Sequence, residues 1–226
     1  MDLLTGFYSD KDEGRTAELM ETLSNNLRND RIARVHLFVE DSSIDAPKMG
    51  KVVVINVGHR MTFADYFSYA NENLVGKKVM LANSDVFFDD TLALLDDYEL
   101  KGKMLCLSRW DKMGEEYVLE FVCGQDSWAF QPPIPRFPCD WPLGKLGSEL
   151  RLNHEARKAG MTLLNPAFSI RSFHLHSSGV KNYSRLDGIM GEEDQVWAST
   201  LNPEPTRITM FPQDGSEPRM IPDSGV

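Results

Sequence analysis

The chain has 226 residues, 42% of them hydrophobic, with 34 acidic against 24 basic side chains and a formal net charge of −10. That length suits one domain of ordinary size with a substantial core. The acidic balance excludes a dedicated nucleic-acid or anionic-membrane binder, since both need a basic face, and any phosphorylated ligand would require a local cation.

The longest apolar runs are Val52–Ile55 and the Val35–Val39 stretch with His36 inside it. Both fall far short of the roughly 20 residues a membrane span needs. Met1-Asp2-Leu3-Leu4-Thr5 has no basic n-region or long apolar core of a signal peptide. Cys106, Cys123 and Cys139 form no C-x-x-C and are too few for a disulfide framework. The expectation is a cytoplasmic protein with free thiols, monomeric or weakly dimeric.

Apolar residues alternate between strand and helix periods, the pattern of an α/β domain. Leu3–Tyr8 reads as a first strand and Ser9–Gly14 as a polar loop. Ala17, Met20, Leu23 and Leu27 mark the buried stripe of a helix. Ala33–Glu40 and Lys51–Val57 are strands, separated by an irregular stretch with Pro47 and Gly50. Thr62 can cap a helix carrying Phe63, Tyr66, Phe67 and Ala70 on one side. Lys78–Ala82 is a fourth strand, ending in Asn83-Ser84-Asp85; a short helix over Thr91–Leu95 and a strand over Met104–Leu107 follow. Tyr117–Cys123 and Ser127–Phe130 read as strands, and five prolines between Pro132 and Pro142 make a loop. A helix over Ser148–Ala159 and a strand over Ala167–His176 close the core. Five more prolines follow Asn202, so the expected division is a domain over 1–201 and a tail over 202–226 that wraps the surface or is partly mobile.

The chemistry concentrates where strands end. Ligands of open α/β sheets bind at the carboxyl ends of the strands. Asp85, two residues after the Asn83 amide, is a hard ligand suited to Mg²⁺ or Mn²⁺ there, or else a turn or cap residue. His174 and His176 alternate onto one face of a late strand end and offer imidazole ligands, or capping side chains. Asp126 opens a strand beside Trp128, and Glu149 opens the late helix after Gly144 and Gly147. Either could serve as a general base, or as a strand-end partner and a dipole-complementing charge respectively. Trp110, Trp128 and Trp141 are core residues or the aromatic wall of a sugar groove.

The ordered blocks Arg60-Met-Thr-Phe-Ala-Asp-Tyr-Phe67, Asn83-Ser-Asp85-Val-Phe-Phe-Asp89, Ser108-Arg-Trp-Asp111, Gly124-Gln-Asp-Ser-Trp128, Asn165-Pro166 and His174-Leu-His176-Ser-Ser carry a resemblance. Over Leu3–Tyr183 the chain resembles the small nucleotide-sugar glycosyltransferases of GT-A type, including short domains encoded by large algal viruses. The resemblance implies a single GT-A-like (Rossmann-like) α/β domain with a mixed, mostly parallel sheet flanked by helices. It implies a UDP- or GDP-linked sugar donor, a carbohydrate acceptor and a divalent ion, Mn²⁺ or Mg²⁺, with a host cytoplasm as the setting if the source is viral. Asp85 would bind that ion, with His176 or His174 completing its coordination. Asn83 replaces the first acid of the metal triplet and Ser84 would lie near the ribose. Thr5, Phe7, Tyr8 and Arg60 would hold base and ribose, while Arg60, Lys181 and Arg185 would supply cations. Asp126 and Glu149 are the candidate catalytic carboxylates.

Three rivals fail on residues. A sugar-1-phosphate nucleotidyltransferase needs a Gly-rich basic loop after the first strand, and Ser9-Asp-Lys-Asp-Glu-Gly14 is acidic. An Asp-x-Asp-x-Thr phosphatase lacks its nucleophile at Asn83, and no G-x-G-x-x-G marks a dinucleotide oxidoreductase. A sugar-binding module without catalysis is the remaining alternative, and Asn83 is the feature that favours it.

Overall fold

The computed structural model describes residues 1–41, 49–119 and 124–179, together with the backbone of 206–208 and 220–222. In chain order the first half runs β1 (Asp2–Phe7), α1 (Glu13–Arg28), β2 (Arg34–Val39), β3 (Val52–Asn56), α2 (Phe63–Asn73), β4 (Val79–Ala82) and β5 (Val86–Phe88). A 3-10 turn over Asp90–Leu95 leads to β6 (Lys103–Met113), β7 (Glu116–Val118), β8 (Gln125–Phe130), α3 (Ser148–Lys158), β9 (Thr162–Leu164) and β10 (Ser172–His174). Two short strands, β11 (Thr206–Ile208) and β12 (Met220–Pro222), pair with each other. The rest of the region after Gly179, with Lys181 and Arg185, lies outside the described residues, as does Cys123.

The main sheet has the order β3-β2-β1-β4-β8-β6-β10-β5, with β7 and β9 also paired to β6. β3, β2, β1 and β4 run parallel, and β8 is inserted antiparallel between β4 and β6. The result is the expected mixed α/β sheet between helices. Because strand side chains alternate, each strand feeds two cores. On one face Leu3, Phe7, Leu37, Met80, Leu105 and Ala129 pack under Leu23 of α1. On the other, Leu4, Phe38, Leu81, Cys106 and Trp128 pack against Phe63, Tyr66, Phe67 and Ala70 of α2 and Leu152 and Ala156 of α3.

The α2 helix forms as its sequence dictates. Thr62 accepts from the Asp65 backbone N–H while Asp65 accepts from the Thr62 N–H, a reciprocal capping box, and the four apolar residues are buried. The α1 helix is rotated from the expected stripe. Ala17 is exposed and Met20 is 39% exposed, whereas Arg15, Glu18, Leu19, Thr22, Leu23 and Asn26 are buried. This face lies over β5, whose backbone needs hydrogen-bond partners rather than hydrocarbon. Asn26 donates its amide to Val86 O at 2.9 Å and accepts from Phe88 N at 3.2 Å.

Three other expectations change. The strand expected over Tyr117–Cys123 is described only as β7, and that over Ala167–His176 shortens to β10. The Met104–Leu107 strand instead extends to Met113, because β6 shifts register between Leu107 and Ser108 and gains new partners in β10 and β7.

Candidate active site

The strands end on a cleft of about 320 Å³, whose lining includes Gly6, Tyr8, Glu40, Arg60 and Tyr66 together with Asp85, Arg109, Asp126, Glu149, His174 and His176. Tyr8 and Glu40 follow the carboxyl ends of β1 and β2, and Asn83, Ser84 and Asp85 follow β4. Gly6 gives the Tyr66 hydroxyl room, since a Cβ there would lie 3.1 Å from it, closer than ordinary contact.

Asp85, His174 and His176 each place a ligand atom within 4.8 Å of the others. Asp85 is held by its own backbone: its carbonyl accepts from Leu175 N at 2.9 Å, which ties the β4 end to the segment between the histidines. Its Oδ2 lies 3.4 Å from His174 Nε2 and 3.7 Å from His176 Nδ1. The two rings are stacked, with centroids 5.5 Å apart and planes 6° from parallel. His174 Nδ1 faces Asp111 Oδ1 at 2.7 Å, the carboxylate brace that commonly fixes a metal-binding imidazole. Burial disfavours charge on His174, but the hydrogen bonds to Asp111 and Asp85 outweigh it, and its pKa is pushed up to about 10. Burial likewise opposes the Asp85 anion, yet His174 and Arg15 hold it well below the usual carboxylate range.

Arg15 enters the cluster from α1. It donates to Asp85 Oδ2 at 2.6 Å and contacts His176 Nδ1 at 2.7 Å. Glu18, one turn on, accepts from the backbone N–H groups of Ser177 and Ser178 at 2.7 and 2.6 Å and so pins the segment after His176.

Next to this cluster, both oxygens of Asp126 are engaged: Oδ1 accepts from Asn83 Nδ2 at 2.7 Å and Oδ2 from Arg109 Nη1 at 2.8 Å. Arg109 also reaches Asp111 at 3.0 Å, so it joins the two halves of the site. Glu149 differs. Its side-chain partner is Ser148 Oγ at 3.2 Å, and burial, reinforced by the Asp126 charge, pushes its pKa up to about 7. Glu40 rises for the same reason, burial, against the pull of Arg60 and His59. Arg60 donates to Leu143 O at 3.0 Å.

Among the candidates read from sequence, Tyr8, Arg60, Asn83, Ser84, Asp85, Asp126, Glu149, His174 and His176 converge on this cleft. Thr5 and Phe7 are buried and do not line it, since alternation along β1 turns them toward the α1 side. Trp128 is core, 1% exposed and edge-on to Phe63. Trp110 and Trp141 donate their indole N–H groups to Ala167 O and Ser148 O and also stand outside the lining. Sequence reasoning missed Arg15, Glu18 and Glu40, and gave Arg109 and Asp111 no role. A usable signal was present: Arg15, Glu18, Thr22 and Asn26 recur at helical spacing, which marks a polar face.

No protein-family model matches the chain, and no curated protein sequence does. Among solved structures, a mannosyltransferase from Pyrobaculum calidifontis in complex with GDP-Man and Mn²⁺ is similar at a TM-score of 0.49 and 14% identity, covering 77% of this chain and 56% of that one. The chain thus spans little more than half of that protein's length. The inositol-1-phosphate CTP transferase of T. maritima is similar at a TM-score of 0.42 and 12% identity, covering 88% of this chain and 95% of that one. The galactosyltransferase LgtC, in complex with donor and acceptor sugar analogs, is similar at 0.41 and 13%, covering 95% and 98%. These likenesses are of general architecture, divide between sugar and CTP transferases, and select no reaction for this chain.

Proposed function

We propose that the protein is a metal-dependent glycosyltransferase that moves a sugar from a UDP- or GDP-linked donor to a carbohydrate acceptor. The observation that carries this reading is one cleft holding two separate devices. Asp85, His174 and His176, a trio with the ligand atoms and spacing to hold a cation, stand at the strand ends, and Glu149, whose pKa burial pushes up to about 7, lines the same cleft. Such a pair suits a reaction that must stabilise a departing anion and remove a proton from an incoming hydroxyl.

The donor set fits Mn²⁺ or Mg²⁺, and two imidazoles favour Mn²⁺. His174, braced by Asp111, would present Nε2 once deprotonated, and Asn83 is turned to Asp126, which leaves Asp85 as the carboxylate ligand. When bound, the ion would neutralise charge growing on the diphosphate leaving group. Arg109, Arg60 and Lys145 line the cleft and add positive potential along the donor's path. Tyr8, Arg60 and Ser84 would contact nucleotide, with Thr5 and Phe7 supporting β1 from behind. Glu149 takes the proton of the acceptor hydroxyl. The oxygen bonds to the anomeric carbon, and that carbon's bond to the diphosphate oxygen breaks with its electron pair leaving on the nucleoside diphosphate. One displacement assisted by a base gives an inverted product. Asp126, with both oxygens committed, anchors Asn83 and Arg109 and leaves the proton transfer to Glu149.

Calorimetry of UDP- and GDP-sugars with and without Mn²⁺ tests the assignment. Asp85→Ala is expected to abolish the Mn²⁺-dependent part of donor affinity. Unchanged Mn²⁺-dependent affinity in that variant would remove Asp85 from the metal site. Donor hydrolysis in the unaltered protein separates an enzyme from a binding module, which would show none.

A further inference from the structure

Arg15 is tied to two of the three residues grouped to hold a divalent ion. Its Nη2 donates to Asp85 Oδ2 at 2.6 Å and its Nη1 meets His176 Nδ1 at 2.7 Å and Glu18 Oε2 at 3.3 Å. Its Nε donates to the Tyr8 hydroxyl at 3.3 Å, and its side chain is only 6% exposed. A guanidinium has no acceptor, so His176 Nδ1 must be the bare ring nitrogen, and its single lone pair is spent on Arg15. That nitrogen and Asp85 Oδ2, two electron-rich atoms, lie 3.7 Å apart with a cation touching both. An ion that coordinates His176 Nδ1 has to take the lone pair Arg15 now uses.

We infer that Arg15 competes with the divalent ion for Asp85 and His176: it holds these ligands together in the metal-free protein and has to be drawn off before the ion binds. A displaced Arg15 keeps Glu18 and Tyr8 but loses its shortest carboxylate contact inside a desolvated site, which opposes metal binding by itself. A diphosphate in the cleft offers the guanidinium new anionic oxygens in a geometry it pairs with well, and removes that penalty. Metal and nucleoside diphosphate then favour each other's binding through Arg15. This last step rests on the nucleotide-sugar reading; the competition itself does not.

The test is the affinity for Mn²⁺ alone, read from the free-ion paramagnetic resonance signal, in the unaltered protein, Arg15→Met and Arg15→Lys. Arg15→Met is expected to bind Mn²⁺ at least tenfold more tightly than the unaltered protein. Arg15→Lys, a point donor unable to hold both Asp85 and His176, is expected to fall between them. UDP or GDP should strengthen Mn²⁺ binding at least tenfold in the unaltered protein and by a smaller factor in Arg15→Met. A purely structural role predicts the opposite direction, because loosening the site weakens a metal. Arg15→Met binding Mn²⁺ no more tightly than the unaltered protein overturns the inference. Should that variant be too unstable to titrate, thermal unfolding replaces the titration: Mn²⁺ must raise its Tm more than it raises that of the unaltered protein, and an equal or smaller rise overturns the inference. If neither UDP nor GDP binds while Arg15→Met still gains Mn²⁺ affinity, the competition stands and the nucleotide-donor reading falls.

Discussion

Two carboxylates lining one cleft, Asp126 and Glu149, show how environment divides labour between like groups. Asp126 is paired with Arg109 and Asn83 and is spent on holding them. Glu149 is desolvated, feels the Asp126 charge, and is opposed by its own backbone N–H, Ser148 and Arg109, which leaves its pKa near 7. A base is most useful with its pKa near the working pH. Glu149→Gln is therefore expected to lower turnover by about 10²- to 10⁴-fold with donor affinity nearly unchanged. In the unaltered protein the rate should rise with pH through about 7, and the limb should vanish in the variant. Retained turnover with the same pH profile would remove Glu149 from the reaction. The stability consequence has a definite sign. A carboxyl whose folded pKa is raised favours the folded state in its protonated form, so its destabilising effect is absent below the ordinary carboxylate range, grows as pH rises to about 7, and is constant above. Glu149→Gln should thus match the unaltered protein at acidic pH and exceed it above neutrality by about 2 kcal/mol, a figure reduced for the side chain's opening to the cleft.

At the scale of elements, the contrast between α2 and α1 explains what was legible. The α2 helix buries hydrocarbon against hydrocarbon, so apolar period and a capping residue sufficed to place it. The α1 helix buries polar groups against a strand too short to satisfy itself, and an apolar stripe is the wrong template for it. The same reasoning separates the site residues. Asp85, His174 and His176 were readable because they sit at strand ends, where ligands gather; Arg15 and Glu18 were hidden because a buried helix face is read as apolar by default. β5 and β9 have three residues each and leave no period to detect. Asn26 gives this account a test. Its amide completes the β5 ladder from the helix side, and Asn26→Ala would strand Val86 O and Phe88 N in a buried setting. Leaving two such groups unpaired costs about 2–4 kcal/mol, which for a chain of this length lowers Tm by roughly 5–15 °C. A drop under about 2 °C in a thermal melt would mean that water or a shifted helix replaces those bonds. The helix caps offer a milder control, since Thr62→Ala should cost only about 1 kcal/mol.

For the whole molecule, the charge of −10 is not a property of the cleft. Its lining carries Arg15, Arg60, Arg109 and Lys145 against Glu40, Asp85, Asp126 and Glu149, so the surplus acid lies elsewhere and the cleft can admit a phosphorylated ligand. That distribution, with the shifted carboxyls, fixes how stability varies with pH. Glu18, Asp65, Asp85 and Asp111 each suffer desolvation that is outweighed by hydrogen bonds from Ser178, Thr62 and His174 and by cationic neighbours, and all four sit below the ordinary carboxylate range. Groups depressed in the folded state contribute stability that is present above their unfolded pKa and lost as pH falls through the folded one. Glu149 works in the opposite sense, relieving its cost as pH falls from about 7. Self-repulsion among the excess acids also declines on approach to the isoelectric point, near 5.0. Tm is therefore expected to rise modestly from pH 8 toward about 5, and to fall steeply below about 4 as the paired carboxylates are forced to take protons. Glu149→Gln should flatten the rise without touching the fall, and Glu18→Gln should shrink the fall without touching the rise. Thermal melts across pH 3–8 separate the two limbs, and a single limb that both variants alter equally would show that bulk charge, rather than these named groups, governs the profile.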